Sequence, residues 1–474
     1  MFKKLARSIC FLLLLGAVTL TVFNILRWKN SGGIVKFYKY PAHTVDAAFL
    51  GSSHCYCTVN TALLWEKYGM AAVNMGDSGQ NIGTTYYYIK ELLKTQSPSV
   101  IAVELNYAAH EADGLDNGNM YRNTLNMKWS RNYTDNLSYS LRLAENKIDY
   151  ADYFKYLLLK FPVFHSRYSE LTDSDFSGYG EDARVGRYRG SWVTGKALET
   201  PAACSVTETA EDLDTQWLDK ITALAAENNV SLVFFVAPYI ISSSEMRTFN
   251  SIKNYAAEKN IPYFNFNEIY EEIGLDYSQD LRERSHLNNY GAEKVTSYLG
   301  DYINRTFSLP DRRGEKGYTL YDKVWENWEK DVYFHELTEE TELGSYLDIL
   351  KQAGASYAIL RYDQSEENIR LMDSILQEHI STEAADSLLA REYYSSTGYV
   401  HGVSYLSDTV VLHNRNLYLS ADMKVPGPTD TLSLWIISTD PRDGSLAEIG
   451  KFARDGETFI KAAAEHGNTS VVDN

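Results

Sequence analysis

Cysteine is scarce in this chain, which has four cysteines among 474 residues. Such a number excludes a secreted scaffold that is held together by disulfides. Cys55 and Cys57 are separated by one residue, whereas common zinc and redox motifs have two between their cysteines. Because no second pair is present to complete a site, we expect Cys55 and Cys57 to be small apolar residues at the start of a helix.

Basic residues are also few relative to acidic ones. Lysine and arginine number 45 against 63 aspartates and glutamates, which gives a net charge of -18 at pH 7. This balance argues against nucleic acid as a partner, and it disfavours electrostatic adhesion to an anionic lipid surface. No internal repeat or low-complexity tract stands out either.

The N-terminus contains an uncharged run from Ser8 to Leu26, with basic residues on both sides. The run approaches the ~20 residues that a helix needs to cross a bilayer. A cleaved signal peptide is the alternative, but no small-x-small site follows the apolar stretch cleanly. We expect residues 1–30 to be an uncleaved signal anchor. The basic residues before the run slightly outnumber those after it, which favours a single-pass protein whose bulk is extracytoplasmic.

After the anchor, short apolar runs alternate with amphipathic stretches. The strand-like runs are Ala47 to Leu50, Ala71 to Met75, Val100 to Leu105, Ser231 to Pro238 and Pro262 to Phe266. The helix-like stretches are Asn60 to Tyr68, Thr84 to Leu93, Asp212 to Asn228, Ser244 to Lys259 and Asn289 to Arg305. This alternation predicts an α/β fold with a parallel sheet that is covered on both faces. Ligands of such sheets bind at the carboxyl ends of the strands.

The length indicates more than one domain, since roughly 445 residues follow the anchor. A polar breaker, Leu309 to Gly314, is the best boundary. We expect an α/β domain over 31–310 and a smaller α/β or β-rich module of unknown role over 316–474. Strand-like and helix-like stretches no longer alternate over residues 107–201, which predicts an inserted cap there. The cap includes a helix-like stretch from Tyr150 to Phe161. The aromatic residues of this insertion could stack on sugar rings or simply pack between helices.

Two polar segments follow strand-like runs at opposite ends of the α/β pattern. The first is Gly51-Ser52-Ser53-His54, and the second is Glu283-Arg284-Ser285-His286-Leu287-Asn288. A serine hydroxyl becomes a good nucleophile when a base removes its proton and a third group orients that base. Ser53 is the candidate nucleophile and His286 the candidate base. Glu283, taken to lie one helical turn earlier, is the candidate orienting carboxylate, and Asp280 is the alternative.

These segments resemble the SGNH/GDSL hydrolase superfamily over about Val45 to Phe307. The family carries its nucleophile in a Gly-x-Ser block after the first strand and ends its domain with an acid-x-x-His block. The resemblance implies a three-layer, flavodoxin-like domain with a parallel sheet. It also implies that the N–H of Gly76 or Gly79 helps to stabilise the oxyanion, and that Asn106 is a further candidate donor.

Within the superfamily the chain is most similar to membrane-anchored members that acylate cell-envelope polymers. These include the D-alanine transfer protein of lipoteichoic acid and polysaccharide O-acetylation proteins. The chain differs from the family pattern at three places. Glu283 stands where an aspartate is usual, Glu104-Leu105-Asn106 replaces the Gly-x-Asn-Asp block, and His54 has no counterpart in the pattern.

The sequence therefore predicts an extracytoplasmic serine enzyme that transfers or hydrolyses acyl groups on an envelope polysaccharide or a teichoic-acid-like polymer. No metal or organic cofactor is required, and a membrane protein that donates the acyl group is a candidate partner. Water and a sugar hydroxyl are alternative acceptors. The competing hypothesis is a non-catalytic polysaccharide-binding or assembly protein on a degenerate SGNH scaffold. An enzyme needs Ser53 Oγ within about 3.5 Å of a ring nitrogen of His286.

Overall fold

The computed structural model describes residues 2–26, 33–109, 119, 121–143, 168–169, 171, 188, 190–196, 198–355, 357–361, 366–379, 403–407, 410–413, 416–419, 423–424, 434–441 and 446–462. The chain forms two compact units, Met1–Asn327 and Trp328–Asn474. Their division falls inside a helix, Thr319–Glu339. It therefore lies later in the chain than the polar breaker Leu309 to Gly314.

A five-stranded parallel β-sheet forms the centre of the first unit. Its strands are β1 (Ala47–Leu50), β2 (Ala72–Asn74), β3 (Val100–Glu104), β4 (Ser231–Val236) and β5 (Tyr263–Asn265). They lie in the order β2-β1-β3-β4-β5, and every pairing between neighbours is parallel. The parallel sheet that the alternating sequence pattern predicts is confirmed.

Helices precede, connect and follow these strands along the chain. They are α1 (Phe2–Leu26), α2 (Gly33–Phe37), α3 (Ser53–Thr58), α4 (Thr61–Tyr68), α5 (Ile82–Leu92), α6 (Arg131–Leu143), α7 (Gln216–Glu227), α8 (Ser243–Glu258), α9 (Asn289–Phe307) and α10 (Thr319–Glu339). Asparagine side chains at 60, 81 and 288 accept hydrogen bonds from first-turn N–H groups of α4, α5 and α9. Ser242 and Glu245 form a capping box at α8. These caps explain why the helices begin where they do.

Both faces of the sheet are buried. Ala47 and Phe49 belong to a core cluster that includes residues of α9, such as Val295. Ala48 and Leu50 point to the opposite face, since side chains alternate along a strand, and they are fully buried as well. Helix α5 contacts β1 and helix α7 contacts β4, and neither helix contributes a residue to that cluster. Burial on both sides explains why the strands are apolar without polar alternation.

The chain after α9 folds back onto the start of β1. Arg312 forms a two-pronged ion pair with Asp46, with N–O distances of 2.9 and 3.0 Å. Tyr321 is buried, stacks on Trp65 and donates a 2.7 Å hydrogen bond to the carbonyl of Thr44. These contacts hold the polar breaker within the first unit, which is why the division comes after it.

A small antiparallel hairpin lies outside the parallel sheet. It consists of β6 (Leu281–Glu283) and β7 (His286–Leu287), and Glu283 pairs with His286. The acid-x-x-His segment is therefore extended, and the expectation of a helical turn between these two residues is wrong. The segment 190–196 runs beside the hairpin, where Gly195 N–H donates to the carbonyl of Leu281 at 2.9 Å.

Helix α1 contains the predicted anchor. Its segment Lys3–Phe23 is long and apolar enough to cross a membrane by length and composition. Nearly all of its large apolar side chains, such as Leu13, are exposed, because they are not packed against other residues of the described chain. This helix is compatible with single-pass anchoring.

Most of the predicted cap, 107–201, lies outside the described residues, as do the helix-like stretch Tyr150 to Phe161 and most of 178–190. Its described part includes α6, which packs against α5. The ring of Tyr139 lies over Gly83, where a Cβ would come within 2.3 Å of it. This part of the insertion therefore covers a helix of the α/β domain.

The second unit combines helices with antiparallel sheets. Its helices are α11 (Leu343–Ala353) and α12 (Glu366–His379), together with the end of α10. One sheet has the order β12-β11-β10-β9, with strands Met423–Lys424, Asn416–Leu419, Val410–His413 and Val403–Ser407. The other has the order β15-β14-β13-β8, with strands Thr458–Lys461, Leu446–Asp455, Leu434–Thr439 and Tyr357–Arg361. Leu347, Leu434 and Phe452 are among the residues of its core.

Shortening a buried side chain of the central sheet tests this account of the core. Phe49→Ala should lower the free energy of unfolding by about 3–5 kcal/mol, because it removes a ring from a fully buried position on β1. Val193→Ala, at an exposed position, should change it by no more than ~0.5 kcal/mol. Urea unfolding followed by fluorescence measures both. Equal effects of the two substitutions would contradict the packing described here.

Candidate active site

A glycine turn ends β1 and leads directly to Ser53. The register of β1 against β3 pairs Leu50 with Val103, which brings Gly51 beside Glu104. Gly51 has a φ of +152°, and a Cβ there would lie 2.6 Å from the Cβ of Glu104. Glycine is therefore required at this position, both for its backbone angle and for the close approach.

Ser52 and Ser53 begin helix α3. Ser52 is the N-cap, and its Oγ accepts the N–H of His54 at 3.2 Å. Ser53 is the first helical residue, so it lies at the carboxyl edge of the parallel sheet. The first N–H groups of a helix have no acceptor within that helix. A substrate oxygen near Ser53 could therefore accept the N–H of Ser53 itself.

The structure brings Ser53, His286 and Glu283 together. Ser53 Oγ and His286 Nε2 are 2.8 Å apart and share a hydrogen bond. On the other side of the ring, His286 Nδ1 is hydrogen-bonded to Glu283 Oε1. The second carboxylate oxygen of Glu283 accepts the backbone N–H of Ser285 at 2.7 Å. A carboxylate that holds Nδ1 leaves Nε2 free to accept the proton of the serine.

The hairpin is the reason that Glu283 can reach His286. Residues directly opposite one another on antiparallel strands project to the same side. Helix α9 begins immediately after β7. The side chain of Asn288 caps this helix, since it accepts a hydrogen bond from the N–H of Gly291 at 3.1 Å. Asn288 also donates to the carbonyl of Gln279 at 2.6 Å, which ties the helix start to the chain before β6. The position of His286 is thereby fixed on both sides.

Asp280, the alternative orienting carboxylate, makes different contacts. It is buried, and it accepts hydrogen bonds from Lys294 Nζ at 2.6 Å and from the N–H of Asp276 at 2.7 Å. The structure thus separates the two carboxylates: Glu283 is bound to His286, and Asp280 is bound to the start of α9.

Burial and neighbouring charges set the protonation states of His286 and Glu283. Burial lowers the pKa of His286 below its ordinary value of 6.5, and nearby Arg282 lowers it further, while Glu283 acts in the opposite direction. Partial burial raises the pKa of Glu283, but the hydrogen bonds from Ser285 and His286 outweigh this effect and leave that pKa below its usual value. At neutral pH the site therefore combines a neutral imidazole with an ionised carboxylate.

The three predicted oxyanion donors lie in the loops around the carboxyl edge. Gly76 N–H donates to the side chain of Asn74 at 3.0 Å. Gly79 adopts a φ of +60°, and a Cβ there would come within 2.3 Å of the Asn119 amide. Asn106 is buried just after β3, and its backbone N–H donates to Glu104 at 2.6 Å.

His54, which the family pattern does not explain, packs into the same region. Its ring is buried and lies edge-on to Tyr239, with ring centroids 4.8 Å apart. The centroid of His286 is 5.1 Å from that of His54. Tyr239 follows β4, so the sequence could have indicated it as a polar residue at the carboxyl edge of a buried strand. His54 and Tyr239 together form one wall beside the base.

Glu104 also belongs to this site, although the sequence analysis did not name it as a candidate site residue. It ends β3, is almost fully buried and accepts hydrogen bonds from Ser52 and Asn106. Its signal in the sequence is an acidic residue at the end of an otherwise apolar strand. Within the described parts of the chain, no three histidine, cysteine or acidic side chains lie close enough together to hold a metal ion.

No protein-family model and no curated protein matches this chain. Among solved structures, it is similar to a Bacteroides fragilis protein provisionally named an acylhydrolase, at 10% identity and a TM-score of 0.29, over 58% of this chain and 95% of that one. It is also similar to a Desulfitobacterium hafniense protein provisionally assigned to the G-D-S-L family of lipolytic proteins, at 10% identity and a TM-score of 0.28, over 54% and 97%.

The environment of His286 predicts how its ring titrates. The midpoint, followed by NMR of the ring carbons, should lie below about 6.5, because burial disfavours the charged ring. Glu283→Gln should move it lower still, since it removes the carboxylate that favours the imidazolium. Arg282→Gln should move it higher, because it removes a neighbouring positive charge. A midpoint above 6.5 in the unmodified protein would contradict this description.

Proposed function

We propose that this protein is a serine-dependent acyl-transfer enzyme that acts on esters, with Ser53 as nucleophile, His286 as base and Glu283 as orienting carboxylate. The observation that carries the proposal is the hydrogen-bonded chain from Ser53 Oγ through the His286 ring to Glu283. The Ser53–His286 distance of 2.8 Å meets the requirement for proton transfer. The likeness of the sequence blocks to the SGNH/GDSL superfamily points to the same chemistry.

In the first half of the reaction, Ser53 Oγ attacks the carbonyl carbon of the ester while His286 Nε2 takes the hydroxyl proton. The tetrahedral intermediate then collapses, and the bond to the leaving oxygen breaks. His286 returns its proton to that oxygen, which departs as an alcohol and leaves the acyl group on Ser53. Glu283 stabilises the imidazolium that exists between the two proton transfers.

In the second half, water or another hydroxyl compound attacks the acyl carbon while His286 Nε2 takes its proton. The bond between the acyl carbon and Ser53 Oγ then breaks, and His286 returns the proton to Ser53 Oγ. Water as the acceptor gives a carboxylic acid, whereas a sugar hydroxyl gives a new ester. The N–H of Ser53, the first residue of α3, is a candidate donor to the oxyanion. Gly79 and Asn106 are further candidates, whereas the N–H of Gly76 already donates to Asn74.

For the setting of this reaction we propose the outer side of a cell membrane, with a cell-envelope polysaccharide or a teichoic-acid-like polymer as substrate. The apolar helix Lys3–Phe23 supports anchoring. The similarity of the sequence blocks to envelope-polymer acyltransferases supports the polymer and a membrane acyl donor as partner. A net charge of -18 does not favour nucleic acid as the substrate.

Removing the nucleophile tests the proposal directly. Ser53→Ala should lower turnover of p-nitrophenyl acetate on the order of 10³-fold or more, because the members of such a triad act as a unit. His286→Ala should have a similar effect, and the double variant should be little worse than either. Circular dichroism should show that all three variants remain folded.

Ser243→Ala is a matched control for this experiment. Ser243 also follows a serine N-cap and also begins a helix, but it is exposed on α8. Its replacement should leave turnover unchanged. Turnover close to that of the unmodified protein in Ser53→Ala would remove Ser53 from the mechanism. No turnover in the unmodified protein would favour the non-catalytic polysaccharide-binding or assembly role.

The assignment of the carboxylate has its own test. Glu283→Gln should lower kcat by up to ~10⁴-fold, because an amide favours the wrong tautomer of His286. Asp280→Asn should leave kcat near normal and instead lower stability, because it weakens the bond to Lys294. Steady-state kinetics and thermal unfolding of the two variants separate these outcomes. The reverse pattern would show that Asp280 is the orienting group, and retention of activity by both would indicate a Ser–His dyad.

A further inference from the structure

We infer that Glu104 is a positioning residue for this site, whose buried carboxylate holds the turn before the nucleophile and the loop that carries Asn106 in one fixed arrangement. This role presupposes the proposed serine chemistry and extends it to a residue outside the triad. Glu104 ends the strand next to β1, and 1% of its surface is exposed. A carboxylate so deeply buried is costly unless hydrogen bonds compensate for its lost hydration.

Those hydrogen bonds come from the two loops at the carboxyl edge. Glu104 Oε2 accepts the N–H of Ser52 at 3.1 Å and the hydroxyl of Ser52 at 2.7 Å. Glu104 Oε1 accepts the N–H of Asn106 at 2.6 Å. One carboxylate therefore binds the residue before the nucleophile through one oxygen and the candidate oxyanion donor through the other.

The donor pattern requires a carboxylate at this position. Both oxygens face hydrogen-bond donors, and an ionised carboxylate is purely an acceptor. An amide has one acceptor oxygen and one NH₂ group, so in either orientation its NH₂ would face an N–H of Ser52 or of Asn106. Glutamine has nearly the same size and shape as glutamate, but it cannot satisfy both loops. Charge-assisted hydrogen bonds of this kind are also stronger than neutral ones.

The contact with Ser52 is transmitted to Ser53 through the cap of α3. Ser52 Oγ donates its proton to Glu104, and the same oxygen accepts the N–H of His54. The first turn of α3, which includes Ser53, is thus fixed relative to β3. Gly51 leaves no space for the turn to shift, since even a Cβ there would overlap with Glu104. Misplacement of a reacting group by about 1 Å can cost ~10²-fold in rate.

Glu104→Gln should therefore lower kcat for p-nitrophenyl acetate by about 10²-fold, with KM changed less than about threefold. Glu91→Gln is the matched control. Glu91 is another buried glutamate, 3% exposed, and it accepts hydrogen bonds from Lys94, Tyr38 and Asn132. It lies on α5, away from the site residues, so Glu91→Gln should reduce thermal stability and leave kcat unchanged.

A crystal structure of the Glu104→Gln variant provides a readout that does not depend on turnover. The hydrogen bond of 2.8 Å between Ser53 Oγ and His286 Nε2 should be broken in it. An intact bond together with unchanged kcat would overturn the positioning role. If the unmodified protein shows no Ser53-dependent turnover, the proposed function fails, and the geometry of Glu104→Gln still decides whether Glu104 positions Ser53.

Ser52→Ala carries the test if Glu104→Gln does not fold. It removes the hydroxyl that donates to Glu104 and accepts the N–H of His54, and it keeps the backbone donors to Glu104. Loss of the cap should lower the melting temperature. A loss of about tenfold in kcat, with KM changed less than about threefold, would support the positioning role. An unchanged kcat in Ser52→Ala would overturn it.

Discussion

Parallel pairing of β1 with β3 and of β3 with β4 is the constraint on which the rest of the site depends. Because the pairings are parallel and in close register, the three strands end at the same edge. Ser53, Glu104 and Tyr239 come from these three strand ends, although they are far apart in the chain. Glu283 and His286 lie outside this sheet, on the hairpin that the start of α9 holds in place.

Two glutamates serve the site in different electrostatic surroundings. Glu283 is partly exposed and touches a titrating group, so its effect on His286 depends on pH. Glu104 is buried and accepts hydrogen bonds from backbone and hydroxyl donors. Under the proposed mechanism, the first glutamate would orient the base and the second would hold the nucleophile against it.

The remaining parts of the chain lie outside the site. The N-terminal segment Lys3–Phe23 is long and apolar enough to cross a membrane, which is compatible with single-pass anchoring. The second unit has its own core and its own antiparallel sheets. Within its described residues, no three histidine, cysteine or acidic side chains lie close enough together to hold a metal ion.

The sequence by itself determined the parallel sheet, because strands buried on both faces must be apolar throughout and are recognisable as such. The segment Ala47–Leu50 was predicted to the residue, and helix α9 was predicted with its start. Ser53, His286 and Glu283 could be named as candidates because their residue types and their places after strand-like runs are local features. Helix α7 begins at Gln216, not at Asp212, since helix ends depend on caps and packing more than on periodicity.

Only the tertiary structure decided which side chains meet. An acid-x-x-His segment can be a helical turn or a hairpin, and long-range packing against 190–196 and α9 selects the hairpin. The choice between Glu283 and Asp280 follows from that selection, because the hairpin pairs Glu283 with His286 and leaves Asp280 to Lys294. The contact of Glu104 with the turn before Ser53 depends on the register of β1 and β3, and strand register is a property of the assembled sheet that no single segment contains.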